Sequence, residues 1–129
     1  MQAPYDPRYL EGIEHYNRGR FRDCHETLED YWLEEHGPGR VFLQGLIQVA
    51  TGYYKWELGV LGGAVRLLRN GLGRLDEYPA VYGGLDLGSF AAAVRTQLDQ
   101  VEKAYHARAA APPLKAPPLV FIPPPPGSA

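Results

Sequence analysis

Apolar side chains recur every three or four positions along most of residues 7–105, which is the spacing of one face of an α-helix. Glycine and proline interrupt this periodicity, so the pattern predicts an all-α fold of about five helices. The expected bounds of these helices are about 7–19, 20–36, 40–58, 60–77 and 86–105. The third helix is apolar on nearly every side, which is typical of a helix in the middle of a bundle.

The break between the second and third helices is short, so these two helices are expected to pack antiparallel. Sliding the chain by forty residues aligns Gly19 with Gly59, and Leu28 with Leu68. Each half then has an aromatic residue, a glycine turn, and small and large apolar residues, as in stacked helix-turn-helix repeats. Two copies are too few to establish a solenoid. We therefore expect two antiparallel helical hairpins, similar to a tetratricopeptide pair, and a closing C-terminal helix.

The composition changes sharply after Ala110, where prolines bracket one short apolar run, Leu119-Val120-Phe121-Ile122. Proline removes a backbone donor and clashes with the preceding turn, so this part of the chain cannot be helical. The sequence thus predicts a helical bundle domain over residues 1–110 and a proline-rich extended or disordered tail over residues 111–129.

Length and charge narrow the functional classes. A chain of 129 residues fits one domain, and a formal net charge of -2 supplies no general attraction for nucleic acid or an anionic membrane. The single cysteine, Cys24, excludes an internal disulfide and is expected to be a small buried apolar residue. Because no signal peptide or membrane-length apolar run is present, we expect a soluble protein of the cytoplasm.

Several polar residues lie at or near the apolar stripe of the second helix and its expected neighbours. A buried imidazole or carboxylate without a partner is unfavourable by several kcal/mol, so these groups are expected to pair with one another. Gly45 would let the second and third helices approach closely. The candidate site is a buried polar network that comprises His25, Glu26, Glu29, Trp32, Arg40, Gln44, Gln48 and Arg66. In this network Arg40, Arg66 and Arg69 are the candidates to neutralise the glutamates.

Three sequence elements of this region occur together. They are Gly19-x-Phe21, His25-Glu26-x-x-Glu29-x-x-Trp32 and Arg40-x-Phe42-Leu43-Gln44-Gly45-Leu46-Ile47-Gln48. In this combination, and over about residues 9–98, the chain resembles the bacterial, archaeal and plastid family called domain of unknown function 309. The resemblance implies a small all-helical bundle. It implies no activity, because none is established for the family, and it does not include the proline-rich tail.

A metal site is the alternative to a structural network. His25 and Glu29, four residues apart, would present two ligands on one helix face, and Glu26 imitates the base of the His-Glu-x-x-His motif. Position 29 is glutamate where that motif needs histidine, so a divalent metal would need a third ligand from elsewhere, such as His15 or His36. An isolated acid-base pair of His25 with Glu29 is a further alternative.

The sequence favours a non-enzymatic interaction or scaffold module, because no complete catalytic set is present. The expected partner is a protein or peptide, with a second copy of the chain among the candidates, and neither nucleic acid, membrane nor cofactor is expected. Residues 119–122 are a candidate occupant of a groove between the hairpins. The alternative function is a small metal-dependent or acid-base hydrolase centred on His25, Glu26 and Glu29, with a divalent metal at His25 and Glu29.

Overall fold

The computed structural model describes residues 4–123, which form five α-helices and one short β-hairpin. The helices are α1 (Pro7–Asn17), α2 (Phe21–Glu34), α3 (Arg40–Glu57), α4 (Leu61–Leu75) and α5 (Leu87–His106). The strands β1 (Val81–Tyr82) and β2 (Leu85–Asp86) pair antiparallel between α4 and α5. The predicted all-α bundle of five helices is confirmed, because the only strands in residues 4–123 are these two-residue segments.

The two helical hairpins turn in the same way, as the forty-residue repeat predicts. Gly19 and Gly59 both have φ 75°, a left-handed conformation that glycine adopts without steric cost. The residue after each glycine donates a backbone hydrogen bond to the helix before it, from Arg20 N to His15 O at 2.8 Å and from Val60 N to Lys55 O at 2.9 Å. Hence α1 with α2, and α3 with α4, are equivalent units.

Helix α3 lies at the centre of the bundle, as its all-round apolar sequence predicts, because it packs against both α2 and α4. Two glycines let α3 and α4 approach closely. A Cβ atom on Gly45 would lie 3.2 Å from the carbonyl oxygen of Gly71, and one on Gly71 would lie 2.9 Å from that of Gly45. Gly45 therefore serves the contact between α3 and α4, and the prediction that it brings α2 against α3 is wrong.

Two element bounds differ from the sequence prediction. Helix α2 ends at Glu34 and not at His36, because Glu35 adopts an extended conformation with φ -87° and ψ 120°. Between α4 and α5, where no strand was expected, the chain forms β1 and β2, joined by Gly83 and Gly84 with φ 57° and 76°. Two successive positive φ angles form the tight turn that suits a two-residue hairpin.

The chain after α5 is extended and lies on the bundle. Leu119 is buried in the core, with 3% of its surface exposed, and it is the one core residue within 111–123. Residues 124–129 of the predicted tail lie outside the described residues, and the division into two units at residue 110 stays a prediction. No helix of residues 4–123 combines the length and apolarity that crossing a membrane requires.

Candidate functional site

The side chains of His25 and Glu29 are in contact on the surface of α2. The distance from His25 Nε2 to Glu29 Oε2 is 3.1 Å, and the two side chains are 37% and 48% exposed. The buried residues of α2 are Phe21, Cys24 and Leu28, so the pair lies beside the apolar stripe and not within it. The predicted buried polar network is therefore wrong: none of the polar or charged residues within 4–123 is buried.

The glutamines of α3 do not meet this pair. Arg74 of α4 donates a hydrogen bond from Nε to Gln48 Oε1 at 2.9 Å. Within residues 4–123 no hydrogen bond joins Gln44 or Gln48 to His25 or Glu29. The physical reason is the orientation of α3, whose Gly45 side faces α4. Gln48 lies near that side because residues 45 and 48, three apart, are neighbours on the helix surface.

The predicted arginine partners have other roles. Arg40 donates from Nη1 to the carbonyl oxygens of Trp32 at 2.7 Å and Glu35 at 2.8 Å, and its guanidinium lies 4.0 Å from the Trp32 ring centroid. Arg40 therefore caps the C-terminal end of α2, where open carbonyls attract a cation. Arg66 is exposed, and Arg69 pairs with Glu102 of α5.

Glu26, the remaining carboxylate of the motif, pairs with Arg22 on its own helix at 3.2 Å. Trp32 leaves one polar group unsatisfied: its indole Nε1 is buried and has no hydrogen-bond partner within residues 4–123. Neither residue contacts the His25–Glu29 pair through a hydrogen bond in that range. The predicted site residues thus do not form one network: His25 with Glu29 and Glu26 with Arg22 are local pairs, and Arg40 caps α2.

An open cleft of about 440 Å³ lies between α2 and α3 beside the His25–Glu29 pair. The lining includes both acidic and basic side chains. The lining residues are Phe21, Arg22, His25, Glu26, Glu29, Thr51, Tyr54 and Lys55. The Thr51 hydroxyl donates to Ile47 O of its own helix at 2.8 Å. Among residues 4–123 no three His, Cys, Asp or Glu side chains come together to hold a metal ion. The metal and hydrolase interpretations of this pair stay predictions.

Cys24 is fully buried, as predicted. Burial raises the pKa of its thiol to about 12, so the reactive thiolate is scarce at neutral pH. Cys24 is therefore a core residue of the contact between α1 and α2 and not a nucleophile for the cleft.

A separate set of polar contacts joins the helices to residues 112–122, which we call the tail segment. Asn17, the last residue of α1, holds Leu119 by both ends of its amide. Asn17 Nδ2 donates to Leu119 O at 2.9 Å, and Leu119 N donates to Asn17 Oδ1 at 2.8 Å. This paired geometry fixes the position of the tail backbone where the Leu119 side chain enters the core.

Three more side chains donate hydrogen bonds to carbonyl oxygens of the tail segment. The pairs are Trp56 Nε1 to Pro112 O at 2.8 Å, Gln97 Nε2 to Lys115 O at 2.7 Å, and Tyr16 hydroxyl to Pro117 O at 2.8 Å. Tyr53 donates to Gln97 Oε1 at 2.7 Å, which orients the amide of Gln97 toward the tail. Burial raises the pKa of the Tyr16 phenol well above its usual value, so this hydroxyl remains a donor.

The end of the tail segment pairs with the hairpin as a third strand. Phe121 lies opposite Leu85 in an antiparallel bridge. Asp86 N donates to Val120 O at 2.9 Å, and Ile122 N donates to Gly84 O at 2.7 Å. We call the whole surface that holds the tail segment the tail groove, formed by Tyr16, Asn17, Trp56, Gln97 and β2.

Sequence comparison places the chain among known proteins. The sequence model of the family described as "Domain of unknown function (DUF309)" matches residues 9–67. The uncharacterized protein YpuF of Bacillus subtilis (strain 168) is 31% identical over an alignment of 102 residues, and the match covers 76% of this chain. The chain belongs to the DUF309 family. It spans 59% of the length of YpuF.

A crystal structure supports the same relationship for this DUF309 chain. The conserved hypothetical protein TTHA0068 from Thermus thermophilus is 35% identical, with a TM-score of 0.62. The match covers 74% of this chain and 99% of the Thermus protein. The predicted family is thus confirmed, and neither relative's name states an activity.

The DUF309 match includes one side of the tail groove and not the other. Tyr16, Asn17 and Trp56 lie within residues 9–67, whereas Gln97 and the tail segment lie after them. Asn17 and Gln97 were not among the predicted site residues. The usable signal was the tail itself, because a proline-rich segment exposes carbonyl groups that need donors if it packs on a bundle.

We expect His25→Ala to lower the free energy of unfolding by less than about 0.5 kcal/mol, because exposed ion pairs four residues apart on a helix contribute little. Urea denaturation of the DUF309 protein checks this, with Arg22→Ala as the matched control for the neighbouring exposed pair with Glu26. A loss several times larger for His25→Ala than for Arg22→Ala would contradict the surface position of His25.

Proposed function

We propose that this DUF309 domain is a non-enzymatic interaction module whose tail groove binds an extended, proline-rich segment. The observation that carries the proposal is the set of four side-chain donors aimed at four backbone carbonyls of the tail segment. In this chain the tail segment itself occupies the groove. The same chemistry would accept a similar segment of a partner protein.

The donors suit proline in particular. A proline residue has a carbonyl acceptor and no N–H, so a surface that binds proline-rich chains must offer donors and few acceptors. Trp56 and Tyr16 donate to the carbonyls of Pro112 and Pro117, and both side chains also offer an aromatic surface. Grooves lined by aromatic residues are a recurring way to bind extended proline-rich segments.

The buried position of Leu119 makes the groove selective for an apolar side chain at that point of the bound segment. The tail segment contains Pro-Pro-Leu twice, at residues 112–114 and 117–119. Leu119 enters the core beside the Asn17 amide, and Leu114 packs against the core from a half-buried position. The favoured ligand is therefore an extended peptide with two Pro-Pro-Leu units five residues apart, followed by a short apolar strand that pairs with β2.

A peptide titration tests the proposal. The Leu119→Asp variant of the full chain keeps the groove residues and disables its own tail, since a carboxylate is not tolerated in the core. A synthetic peptide with the sequence of residues 109–123 should bind this variant, as measured by calorimetry. Adding Asn17→Ala should weaken binding by about tenfold or more, because two hydrogen bonds of about 1 kcal/mol each are lost.

The matched control is Asn70→Ala in the same Leu119→Asp background, because Asn70 is an exposed asparagine on α4. Asn70→Ala should leave the affinity for the peptide unchanged. If the peptide does not bind, or if Asn17→Ala and Asn70→Ala have equal effects, the groove is not a binding site for such segments.

A further inference from the structure

The connection between α5 and the tail segment is made by residues 107–111, all of which are exposed. Two of these residues donate backbone hydrogen bonds to the last turn of α5. Arg108 N donates to Tyr105 O at 3.2 Å, and Ala109 N donates to Ala104 O at 2.9 Å. The chain reverses direction here through a left-handed residue after the helix cap Ala107. Residues 107–111 can therefore change conformation without disturbing the core.

Arg108 is strained in this turn. Its φ is 53°, and no other non-glycine residue within 4–123 has a positive φ. Glycine is the usual residue at this position after a helix, because a side chain in the left-handed conformation crowds the following carbonyl. The folded-back turn thus places Arg108 in a backbone conformation that an extended connection would not require.

We propose that the tail segment exchanges between two copies of this chain, with residues 107–111 as the hinge, so that the tail of each copy occupies the tail groove of the other. This inference rests on the proposed function, since it requires that the groove binds the tail segment. In the exchanged dimer every hydrogen bond and core contact of the tail segment is formed again with the second copy.

The second copy is the occupant that the chain itself specifies. Its tail segment carries the residues that already fit the groove, from Pro112 to Ile122. The five hinge residues span up to about 17 Å when extended, which is enough to carry the tail away from its own α5. Exchange also releases the left-handed conformation of Arg108 at both hinges. Release of this strain favours the dimer over the folded-back monomer.

Two substitutions at one position test the hinge with opposite signs. Arg108→Gly removes the strain of the folded-back turn and therefore stabilises the monomer. Because a left-handed residue costs about 1 kcal/mol, the association constant of the dimer should fall by about fivefold per hinge, or about 25-fold in total. Arg108→Pro cannot adopt a positive φ and should raise the dimer fraction. Light scattering after size-exclusion chromatography of the full chain, over a range of concentrations, measures both. If neither substitution changes the dimer fraction, the proposal is wrong.

A mixing experiment tests the exchange without any substitution in the hinge, so its result does not depend on whether the hinge variants fold. Full-chain Leu119→Asp has an intact groove, and full-chain Asn17→Ala/Trp56→Phe has an intact tail segment. Exchange predicts that the mixture forms a one-to-one hybrid dimer. If the peptide of residues 109–123 binds Leu119→Asp but no hybrid forms, exchange is wrong and the proposed function stands. If neither the peptide nor the second chain binds, both are wrong.

Discussion

Gly71→Ala is expected to lower the free energy of unfolding by about 3 kcal/mol, because the new methyl group has no space between α3 and α4. Its Cβ would lie 2.9 Å from the carbonyl oxygen of Gly45, 3.0 Å from the backbone nitrogen of Val49, and 2.8 Å from Val49 Cγ2. Two of these atoms belong to the backbone of α3, so a side-chain rotation cannot relieve the contact. The two central helices would have to separate.

Gly73→Ala is the matched control on the same helix. Apart from its chain neighbours and the backbone of its own helix, no atom of residues 4–123 lies within 4 Å of a Cβ built at Gly73. This change therefore adds only helix propensity and should stabilise the protein by about 0.5 to 1 kcal/mol. Urea denaturation of both variants measures the difference. If Gly71→Ala is as stable as the wild type, the close approach of α3 and α4 is not required for packing.

Leu119→Asp is expected to detach the tail segment and to lower the free energy of unfolding by about 2 to 5 kcal/mol, the range for loss of a packed leucine side chain. A charged carboxylate cannot replace leucine in the core without a partner, so the tail segment should leave the groove. Hydrogen exchange should report this directly. The backbone amides of residues 119 and 122, which donate to Asn17 and Gly84 in the wild type, should lose their protection.

Val120→Asp provides the comparison within the same segment. The Val120 side chain is 51% exposed, so this change introduces the same charge without removing a core residue. Protection of the Leu119 and Ile122 amides should persist in Val120→Asp. Equal loss of protection in both variants would mean that burial of Leu119 does not hold the tail segment on the bundle.

Local geometry explains which parts of the fold the sequence predicted. Gly19 and Gly59 end equivalent helices, and their spacing of forty residues was visible without coordinates because each turn needs a left-handed residue at one position. The strands β1 and β2 were missed. They have two residues each, which is too short for an alternating pattern, although Gly83-Gly84 is a known signal for a tight hairpin.

For the candidate site, contacts within one helix were predictable from the sequence, whereas contacts between helices were not. The pairing of His25 with Glu29 follows from helix geometry, since residues four apart on a helix are neighbours. The expected partners on α3 depended on which side of α3 faces α2. Gly45 decides that question by packing against α4, and Gln48 bonds to Arg74 as a consequence. No pattern within a single helix contains this information.

The sequence by itself determined the helices, their antiparallel hairpins, the family and the non-helical nature of the proline-rich tail, because these depend on residues close together in the chain or on composition. Only the tertiary structure decided that His25 and Glu29 lie on the surface and that Asn17 holds Leu119 from 102 positions away. The physical reason is that burial and long-range hydrogen bonds depend on how helix faces meet. The position of the tail segment depends on hydrogen-bond donors that α1, α3 and α5 supply together, and these helices meet only in the folded protein.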